Sequence, residues 1–266
     1  MQHRPVYLAA GSVLDAAPAA VVDAAAAAGF DGVGLRLSHD HATDTAGRRH
    51  LASLLAERGL RLFDAEVHRI DATAGDPGPL VDAAAELGAA HVLVVSDLPD
   101  EQQTLEALGR VADRCRIAGV TAALEYMAWT TPQSSVGAVR LADAVDAVVV
   151  VDLLHHHRLG EGPEALRDVV RSGRLGWVQL CDAPEAAPPG GVAALLDEAR
   201  HHRLAPGAGG LPLAELLAAV PPGTPLSVEV QSDDLAASCT PIERAVLVHR
   251  AATALLAAAH APNSTG

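Results

Sequence analysis

Short apolar runs alternate along the chain with longer alanine-rich stretches. The runs are four to seven residues long and rich in valine and leucine, which is typical of strands buried on both faces. We therefore predict eight strands, at residues 6–9, 32–37, 60–66, 91–96, 120–126, 148–152, 176–180 and 226–230. A helix is predicted after each strand, at 14–28, 46–58, 79–87, 101–118, 134–145, 164–171, 192–201 and 242–259. Four of these helices are followed by a glycine, which commonly ends a helix.

Eight strands, each followed by a helix, predict an α/β fold of the (β/α)8 TIM-barrel type. The 266 residues suit one such barrel, and no change of composition marks a second domain. We expect a single barrel over residues 1–260 and a disordered C-terminal tail over 261–266. A doubly wound open sheet is the alternative fold. It is disfavoured because AAGSVLD, after the first predicted strand, lacks the GxGxxG fingerprint of such sheets.

Charge and composition narrow the range of partners and chemistries. The formal net charge of −14 disfavours nucleic acid and membrane surfaces, so a small-molecule substrate is expected. All 19 basic residues are arginine, which excludes Schiff-base, pyridoxal-phosphate and P-loop lysine chemistry. The three cysteines are widely spaced and form no CxxC pair, as in reduced cytoplasmic proteins. The N-terminal apolar run stops at Asp15, so we expect a cytoplasmic rather than a secreted protein.

Polar side chains stand at or near the ends of the last four predicted strands, where TIM-barrel enzymes place their chemistry. They are Glu125, Asp152, Gln179 and Glu229. A single carboxylate at such a position is often a helix cap or the partner of an arginine. Three carboxylates that converge on one barrel mouth repel each other strongly unless a cation lies among them. An all-oxygen donor set favours Mg²⁺ or Mn²⁺, with Co²⁺ or Zn²⁺ as alternatives.

Five short motifs, spread over nearly the whole chain, carry a family resemblance. They are ALEYMAWT at 123–130, VDLLHHHR at 151–158, VQLCDA at 178–183, RLAPGAGGLPL at 203–213 and LSVEV at 226–230. Through them the chain resembles the xylose-isomerase-like TIM-barrel superfamily, in the branch called sugar-phosphate isomerase/epimerase. The resemblance implies one divalent ion held by the four residues named above. It also implies a substrate-facing histidine at His155, an acid/base pair of Glu125 and Glu229, and it allows a homo-oligomer.

The chain departs from the pattern of this family in three places. Gln179 stands where many members have histidine, although members resembling 3-dehydroshikimate dehydratase also use glutamine. Ala208 replaces a glutamate that is frequent in the glycine-rich loop. Tyr126, Met127 and Ala128 stand where ketose 3-epimerases usually have proline, asparagine and arginine, which weakens an assignment to free-sugar epimerases.

The chemistry expected at such a site is proton transfer beside a carbonyl group. A bound ion stabilises the enediolate that forms when a carboxylate removes the proton. We therefore expect an isomerase or epimerase of a keto-sugar or sugar phosphate. The alternative reaction is dehydration of a cyclic polyhydroxy ketone, of 3-dehydroshikimate or inosose type, in which His155 protonates the leaving hydroxyl. A non-catalytic barrel that only binds a ligand is the alternative from another class. A DNA-repair endonuclease of this fold is disfavoured by the negative charge.

Five further residues are candidates for binding the substrate. They are Arg203, His68, Glu66, Trp129 and His39. An ordinary surface role is the alternative for Arg203, which precedes the glycine-rich loop. Helix capping or loop roles are the alternative for the residues near the ends of the second and third predicted strands. His156 and His157 are expected to be solvated loop histidines.

Overall fold

The eight strands close into a parallel barrel, as the sequence predicts. In the computed structural model, which describes residues 4–73 and 75–260, each strand pairs with the next and the eighth pairs with the first. The strands are β1 (Val6–Leu8), β2 (Gly32–Arg36), β3 (Arg61–Ile70), β4 (His91–Ser96), β5 (Thr121–Glu125), β6 (Val148–Asp152), β7 (Leu175–Leu180) and β8 (Leu226–Val228). The (β/α)8 fold is therefore confirmed as a single domain. The predicted disordered tail at 261–266 lies outside the described residues.

Helices connect the strands, and the longer ones lie where the sequence predicts them. The helices are α1 (Pro18–Ala28), α2 (His39–Thr43), α3 (Thr45–Arg58), α4 (Gly78–Glu86), α5 (Glu101–Ala118), α6 (Ser135–Val145), α7 (Leu153–Arg158), α8 (Pro163–Arg171), α9 (Gly191–His201), α10 (Leu213–Leu217), α11 (Asp233–Ser238) and α12 (Pro241–His260). The sequence did not predict the four short helices α2, α7, α10 and α11. Among the described residues, no helix combines the length and hydropathy needed to cross a membrane.

Two elements differ from their predicted extent by four residues at one end. The helix predicted from residue 14 begins at Pro18, because Ala10–Val13 forms a separate 3-10 turn and proline suits the first helical turn. Strand β3 continues to Ile70 instead of ending at residue 66, because it stays paired with β4 through His68 and Arg69. His68 therefore lies within a strand and not in the loop that follows it.

Apolar side chains fill the barrel interior below its C-terminal mouth. They are Tyr7, Phe63, Leu93, Ala123, Val150 and Trp177. Side chains alternate along a strand, so the residue two positions further along β5, β6 or β7 faces the same interior, one layer nearer the mouth. Those residues are Glu125, Asp152 and Gln179.

Two glycines, Gly11 in the 3-10 turn after β1 and Gly34 in β2, leave room for buried carboxylates. A Cβ atom at Gly11 would overlap the carboxylate of Glu229, and one at Gly34 would overlap the carboxylate of Asp64. The absence of a side chain at these two glycines therefore leaves space for the carboxylates of Glu229, which directly follows β8, and of Asp64 in β3.

Candidate active site

The four side chains predicted as metal ligands lie at the C-terminal mouth of the barrel. Each has 5% or less of its surface exposed: Glu125, Asp152, Gln179 and Glu229. Asp152 and Gln179 are direct neighbours in the pairing of β6 with β7. One donor atom each from Glu125, Asp152 and His155 lies within 4.8 Å of the others, a geometry that can hold a metal ion. The predicted residues are thus brought together, and their role as ligands stays a prediction.

Asp152 uses its two carboxylate oxygens differently. Oδ1 accepts hydrogen bonds from the backbone N–H groups of Leu154 at 2.8 Å and His155 at 3.2 Å, so Asp152 is the N-cap of α7. Oδ2 accepts a hydrogen bond from Arg203 Nη1 at 2.5 Å. Burial alone would raise the pKa of Asp152, but the Arg203 guanidinium and these hydrogen bonds more than offset it and lower the pKa. Asp152 is therefore ionised.

Arg203 is buried at the centre of the predicted ligand set rather than exposed on the surface. Its side chain is 2% exposed, and Nη1 also lies 3.4 Å from Glu229 Oε2. Its Nη2 atom lies 3.3 Å from His155 Nε2, and its Nε atom donates to the carbonyl of Ala199 at 2.7 Å. Because one guanidinium contacts Asp152, Glu229 and His155 together, it fixes their relative positions.

His155 lies against both carboxylates of the site. Its Nε2 atom is 3.8 Å from Glu125 Oε1 and 4.0 Å from Asp152 Oδ2. Burial lowers the pKa of His155 to about 4, so the ring is neutral at neutral pH. Arg203 can only donate, so Nε2 accepts from it and the ring proton is assigned to Nδ1. The indole of Trp129 packs at 89° to the imidazole, with the ring centroids 5.1 Å apart.

The two glutamates hold their protons more tightly than free carboxylic acids do. Burial, together with the nearby carboxylates of Glu229 and Asp152, raises the pKa of Glu125 well above its ordinary value. Burial raises the pKa of Glu229 to about 7, although Arg203 acts in the opposite direction. Both shifts arise because several acids share one desolvated space.

These residues fit a divalent cation held by oxygen atoms. Five buried acids interact electrostatically at the mouth: Asp64, Glu66, Glu125, Asp152 and Glu229. Among the residues that the structure describes, two guanidinium groups, those of Arg36 and Arg203, are their close cationic partners. Gln179 Oε1 is buried without a hydrogen-bond partner in the same described part of the chain. A cation would add positive charge and give that oxygen a partner.

A pocket of about 330 Å³ opens above the ligand set. Four of its lining residues are arginines: Arg36, Arg69, Arg200 and Arg203. Arg36 is paired with Glu66 at 2.9 Å, and Arg69 with Asp97 at 2.7 Å. Arg200 is exposed and makes no hydrogen bond or ion pair with any described residue. Arg200 therefore gives the pocket one guanidinium group without an acidic partner in the described part of the chain, while Glu125 and Glu229 also line the pocket.

The remaining predicted substrate residues are not all in this pocket. Trp129 lines it, whereas Glu66 is fully buried, does not line the pocket and is paired with Arg36, which does. His39 lines an adjacent surface groove, which shares Leu14, Arg36 and Val67 with the pocket. His68 lies in a separate surface pocket.

The sequence did not predict three of the four pocket arginines, namely Arg36, Arg69 and Arg200. Arg36 ends β2 at the barrel mouth, which is a signal of the same kind as that used for the acidic residues. Arg69 was not predicted because β3 extends to Ile70, so this arginine lies within the strand and not in the loop expected after residue 66. Arg200 is near the end of α9, and nothing in the sequence around it indicates that its side chain lines the pocket.

The prediction of a solvated loop is wrong for His156. This residue is 0% exposed and lies in helix α7, where its ring contacts Tyr126 and Glu161. His157 is in the same helix and is partly exposed.

Comparison with protein families gives a match over most of the chain. The family model described as "Xylose isomerase-like TIM barrel" matches residues 22–252. The chain is 29% identical over 240 residues to a protein of Pseudomonas aeruginosa named 3-dehydroshikimate dehydratase. That alignment covers 82% of this chain and 37% of the relative.

Solved structures with the same fold extend the comparison. A xylose isomerase-like TIM barrel/4-hydroxyphenylpyruvate dioxygenase fusion protein superposes with a TM-score of 0.77 at 25% identity, covering 95% of this chain and 42% of that one. The chain thus spans about two-fifths of the length of the dehydratase and of the fusion protein. D-allulose 3-epimerase from Methylomonas sp. superposes with a TM-score of 0.70 at 18% identity, covering 96% of this chain and 98% of that one, which shows a shared fold.

Proposed function

This chain belongs to the xylose isomerase-like TIM-barrel family, and from that premise we propose that it is a divalent-metal-dependent enzyme acting on a small polyhydroxy carbonyl compound. The observation that carries the proposal is the convergence of donor atoms of Glu125, Asp152 and His155 within 4.8 Å of one another. Gln179, the strand neighbour of Asp152, has a buried Oε1 without a hydrogen-bond partner among the described residues. Within this class we propose dehydration of an acidic cyclic polyhydroxy ketone, ahead of the isomerisation or epimerisation that the sequence alone favours.

A pocket arginine without an acidic partner supports an acidic substrate. Guanidinium groups pair best with carboxylate or phosphate, and a neutral keto-sugar offers no such partner. Arg200 is the clearest case, because it has no acidic partner among the described residues. The similarity to a protein named 3-dehydroshikimate dehydratase, together with glutamine at position 179, supports the same choice.

Four side chains would hold the ion: Glu125, Asp152, Gln179 and Glu229. When bound, the ion lowers the pKa of the C–H group beside the substrate carbonyl. Asp152 can contribute even while paired with Arg203, since each carboxylate oxygen has two lone pairs. The ligand set and the oxygen preference that it implies point to Mn²⁺ or Mg²⁺.

Dehydration needs a base that removes a proton beside the carbonyl and an acid that protonates the departing hydroxyl. Glu229 and His155 both line the pocket and lie on different arms of the Arg203 guanidinium, at 3.4 Å and 3.3 Å. We assign Glu229 as the proton acceptor, because its carboxylate lines the pocket at the barrel mouth, where the substrate would lie. The neutral ring of His155 is assigned to relay a proton to the leaving hydroxyl, which departs as water, and the proton that Glu229 accepts supplies it; Glu125, 3.8 Å from His155, is the second proton carrier.

The proposal is tested by offering the Mn²⁺-loaded protein 3-dehydroshikimate, a keto-inositol and the neutral sugar D-allulose in D₂O, with products read by mass spectrometry. We expect loss of 18 mass units from 3-dehydroshikimate and a new ultraviolet absorption. Deuterium uptake into D-allulose without loss of water would support an isomerase or epimerase instead. No change in any compound, together with no Mn²⁺ binding, would support a non-catalytic barrel.

A further inference from the structure

A buried polar cluster lies directly behind the candidate active site. It consists of Tyr126, His156 and Glu161 and is named the Tyr–His–Glu cluster. The Tyr126 hydroxyl lies 2.7 Å from His156 Nδ1, and Glu161 Oε2 lies 3.1 Å from the same nitrogen. Tyr126 and His156 are 1% and 0% exposed. None of the three residues lines the pocket, so the cluster does not itself contact a substrate.

Backbone groups hold the cluster from two further sides. His156 Nε2 lies 3.0 Å from the carbonyl oxygen of Gly162. The backbone N–H of Ser135 donates to Glu161, with its nitrogen 2.9 Å from Oε1 and 3.2 Å from Oε2. Both ring nitrogens of His156 and the carboxylate of Glu161 therefore have partners. A polar network that is satisfied in this way in a low-dielectric interior is rigid.

The cluster joins the two segments that carry catalytic candidates. Tyr126 directly follows Glu125 at the end of β5, and His156 directly follows His155 in α7. The Glu125 carboxylate makes no hydrogen bond to another described residue, and its ion-pair contact in that part of the chain is His155 Nε2 at 3.8 Å. The position of the Glu125 carboxylate therefore depends on the backbone beside it, which the buried Tyr126 anchors.

We propose that the Tyr–His–Glu cluster sets the separation of Glu125 from His155 and that its three members are positioning residues. This inference rests on the proposed function, because it gives ion-binding and proton-transfer roles to Glu125 and His155. A cluster that served stability alone would also be buried and hydrogen-bonded. If the cluster has a positioning role, a variant that remains folded should lose ion affinity and turnover. If the cluster serves stability alone, a folded variant should keep both.

The test is Tyr126→Phe, which removes one hydroxyl group from the cluster. The matched control is Tyr7→Phe, since Tyr7 is the only other tyrosine of the chain and is also buried, stacked on Phe63 below the pocket. Three quantities are measured for both variants: the Tm, the Kd for Mn²⁺ by calorimetry without substrate, and kcat and KM with 3-dehydroshikimate. For Tyr126→Phe we expect the Kd to rise about 10-fold and kcat to fall about 10-fold, with KM within about 2-fold.

Tyr7→Phe should leave the Kd and kcat at their wild-type values. A Tyr126→Phe protein with a lower Tm but unchanged Kd and kcat would overturn the inference, because the cluster would then serve stability alone. If Tyr126→Phe does not fold, Glu161→Gln keeps the side-chain shape and decides between the same two outcomes. If wild-type protein binds Mn²⁺ but does not convert 3-dehydroshikimate, the proposed function fails, and the Mn²⁺ Kd of Tyr126→Phe still decides the inference.

Discussion

Arg203 places Nη1 2.5 Å from Oδ2 of Asp152, and both side chains are buried at the mouth of the barrel. The pair joins the last residue of β6 to the segment that follows α9. It gives one of the predicted ligands a permanent cationic partner. A carboxylate oxygen that accepts from a guanidinium still has a lone pair free for an ion, so the pair and metal binding are compatible.

Replacing Arg203 with glutamine should strongly destabilise the protein. The change leaves the buried acids Asp152 and Glu229 without their guanidinium, and breaking a buried pair in this way costs about 3 kcal/mol, or roughly 6–12 °C in Tm. Mn²⁺ should restore part of the loss because it replaces the missing positive charge. Thermal unfolding with and without Mn²⁺ measures both effects.

Arg171→Gln is the matched control for this prediction. Arg171 is 58% exposed on α8, and its pairs with Glu164 and Asp168 are at the surface, where solvent screens an ion pair and its contribution to stability is small. If Arg203→Gln and Arg171→Gln lower the Tm equally, Arg203 stabilises the protein no more than an exposed arginine does.

Glu125→Gln should separate metal binding from stability. Burial and the neighbouring carboxylates raise the pKa of Glu125 well above its ordinary value, so its ionised form is unfavourable in the metal-free fold. The variant should therefore unfold at the same or a higher temperature than wild type in a chelating buffer. Mn²⁺ at 100 times its Kd should stabilise wild type by about 2.7 kcal/mol and the variant far less.

Glu106→Gln, an exposed change on α5, should keep the full Mn²⁺ effect. Equal Mn²⁺ shifts in Glu125→Gln and wild type would remove Glu125 from the ligand set.

Arg200→Gln should weaken the binding of an acidic substrate. The lost charge-assisted contact is expected to raise KM for 3-dehydroshikimate about 10-fold, which corresponds to about 1.4 kcal/mol, with little change in kcat. Steady-state kinetics measure this directly. The control is Arg167→Gln, because Arg167 pairs with Glu164 on α8 and does not line the pocket. An unchanged KM would show that Arg200 does not contact the substrate.

His91 should lower the stability of the protein in mild acid, against an opposite contribution from the buried acids Glu125 and Glu229, whose pKa values are raised. His91 packs between Phe63 and Trp177, with ring centroids 5.1 Å and 4.9 Å away, and burial lowers its pKa to about 4. The unfolded chain takes up the proton near the ordinary pKa of 6.5, so between about pH 6.5 and 4 it binds more protons than the folded chain. The resulting loss approaches about 1.4 kcal/mol per pH unit.

His91→Phe tests this origin because phenylalanine cannot titrate. Urea unfolding at pH 7.5, 6 and 5 should show that the free energy of unfolding of wild type decreases relative to that of the variant as the pH falls. Part of the pH dependence of the free energy of unfolding should remain in both proteins, because burial also lowers the pKa of His155 to about 4. Parallel pH profiles would exclude His91 as a source.

The sequence predicts the strands and the acidic residues of the site because both depend on local pattern. Apolar runs mark the strands, and alternation along β5 and β6 places Glu125 and Asp152 at one mouth. Helix α7 was missed because it begins directly after β6, capped by the last residue of that strand, with no turn between them. His156 was misjudged for the same reason, since three successive histidines suggest a solvated loop.

Pairs between distant segments leave no such pattern. Asp152 and Arg203 are 51 positions apart, and nothing near either residue marks the other as its partner. Tyr126 and His156 are likewise 30 positions apart, and their hydroxyl–imidazole contact arises only when β5 and α7 are packed side by side. Periodicity therefore locates the chemistry on the fold, while the partners of each group follow from tertiary packing.

The central claim is that one divalent ion is held at the barrel mouth by oxygen atoms of this chain. A crystal structure with Mn²⁺, read from its anomalous scattering, tests it most directly. We predict a single peak at the mouth, about 2.0–2.5 Å from carboxylate oxygens of Glu125, Asp152 and Glu229 and from Gln179 Oε1. A map with no peak there, in which Arg203 alone neutralises Asp152 and Glu229, would contradict the account.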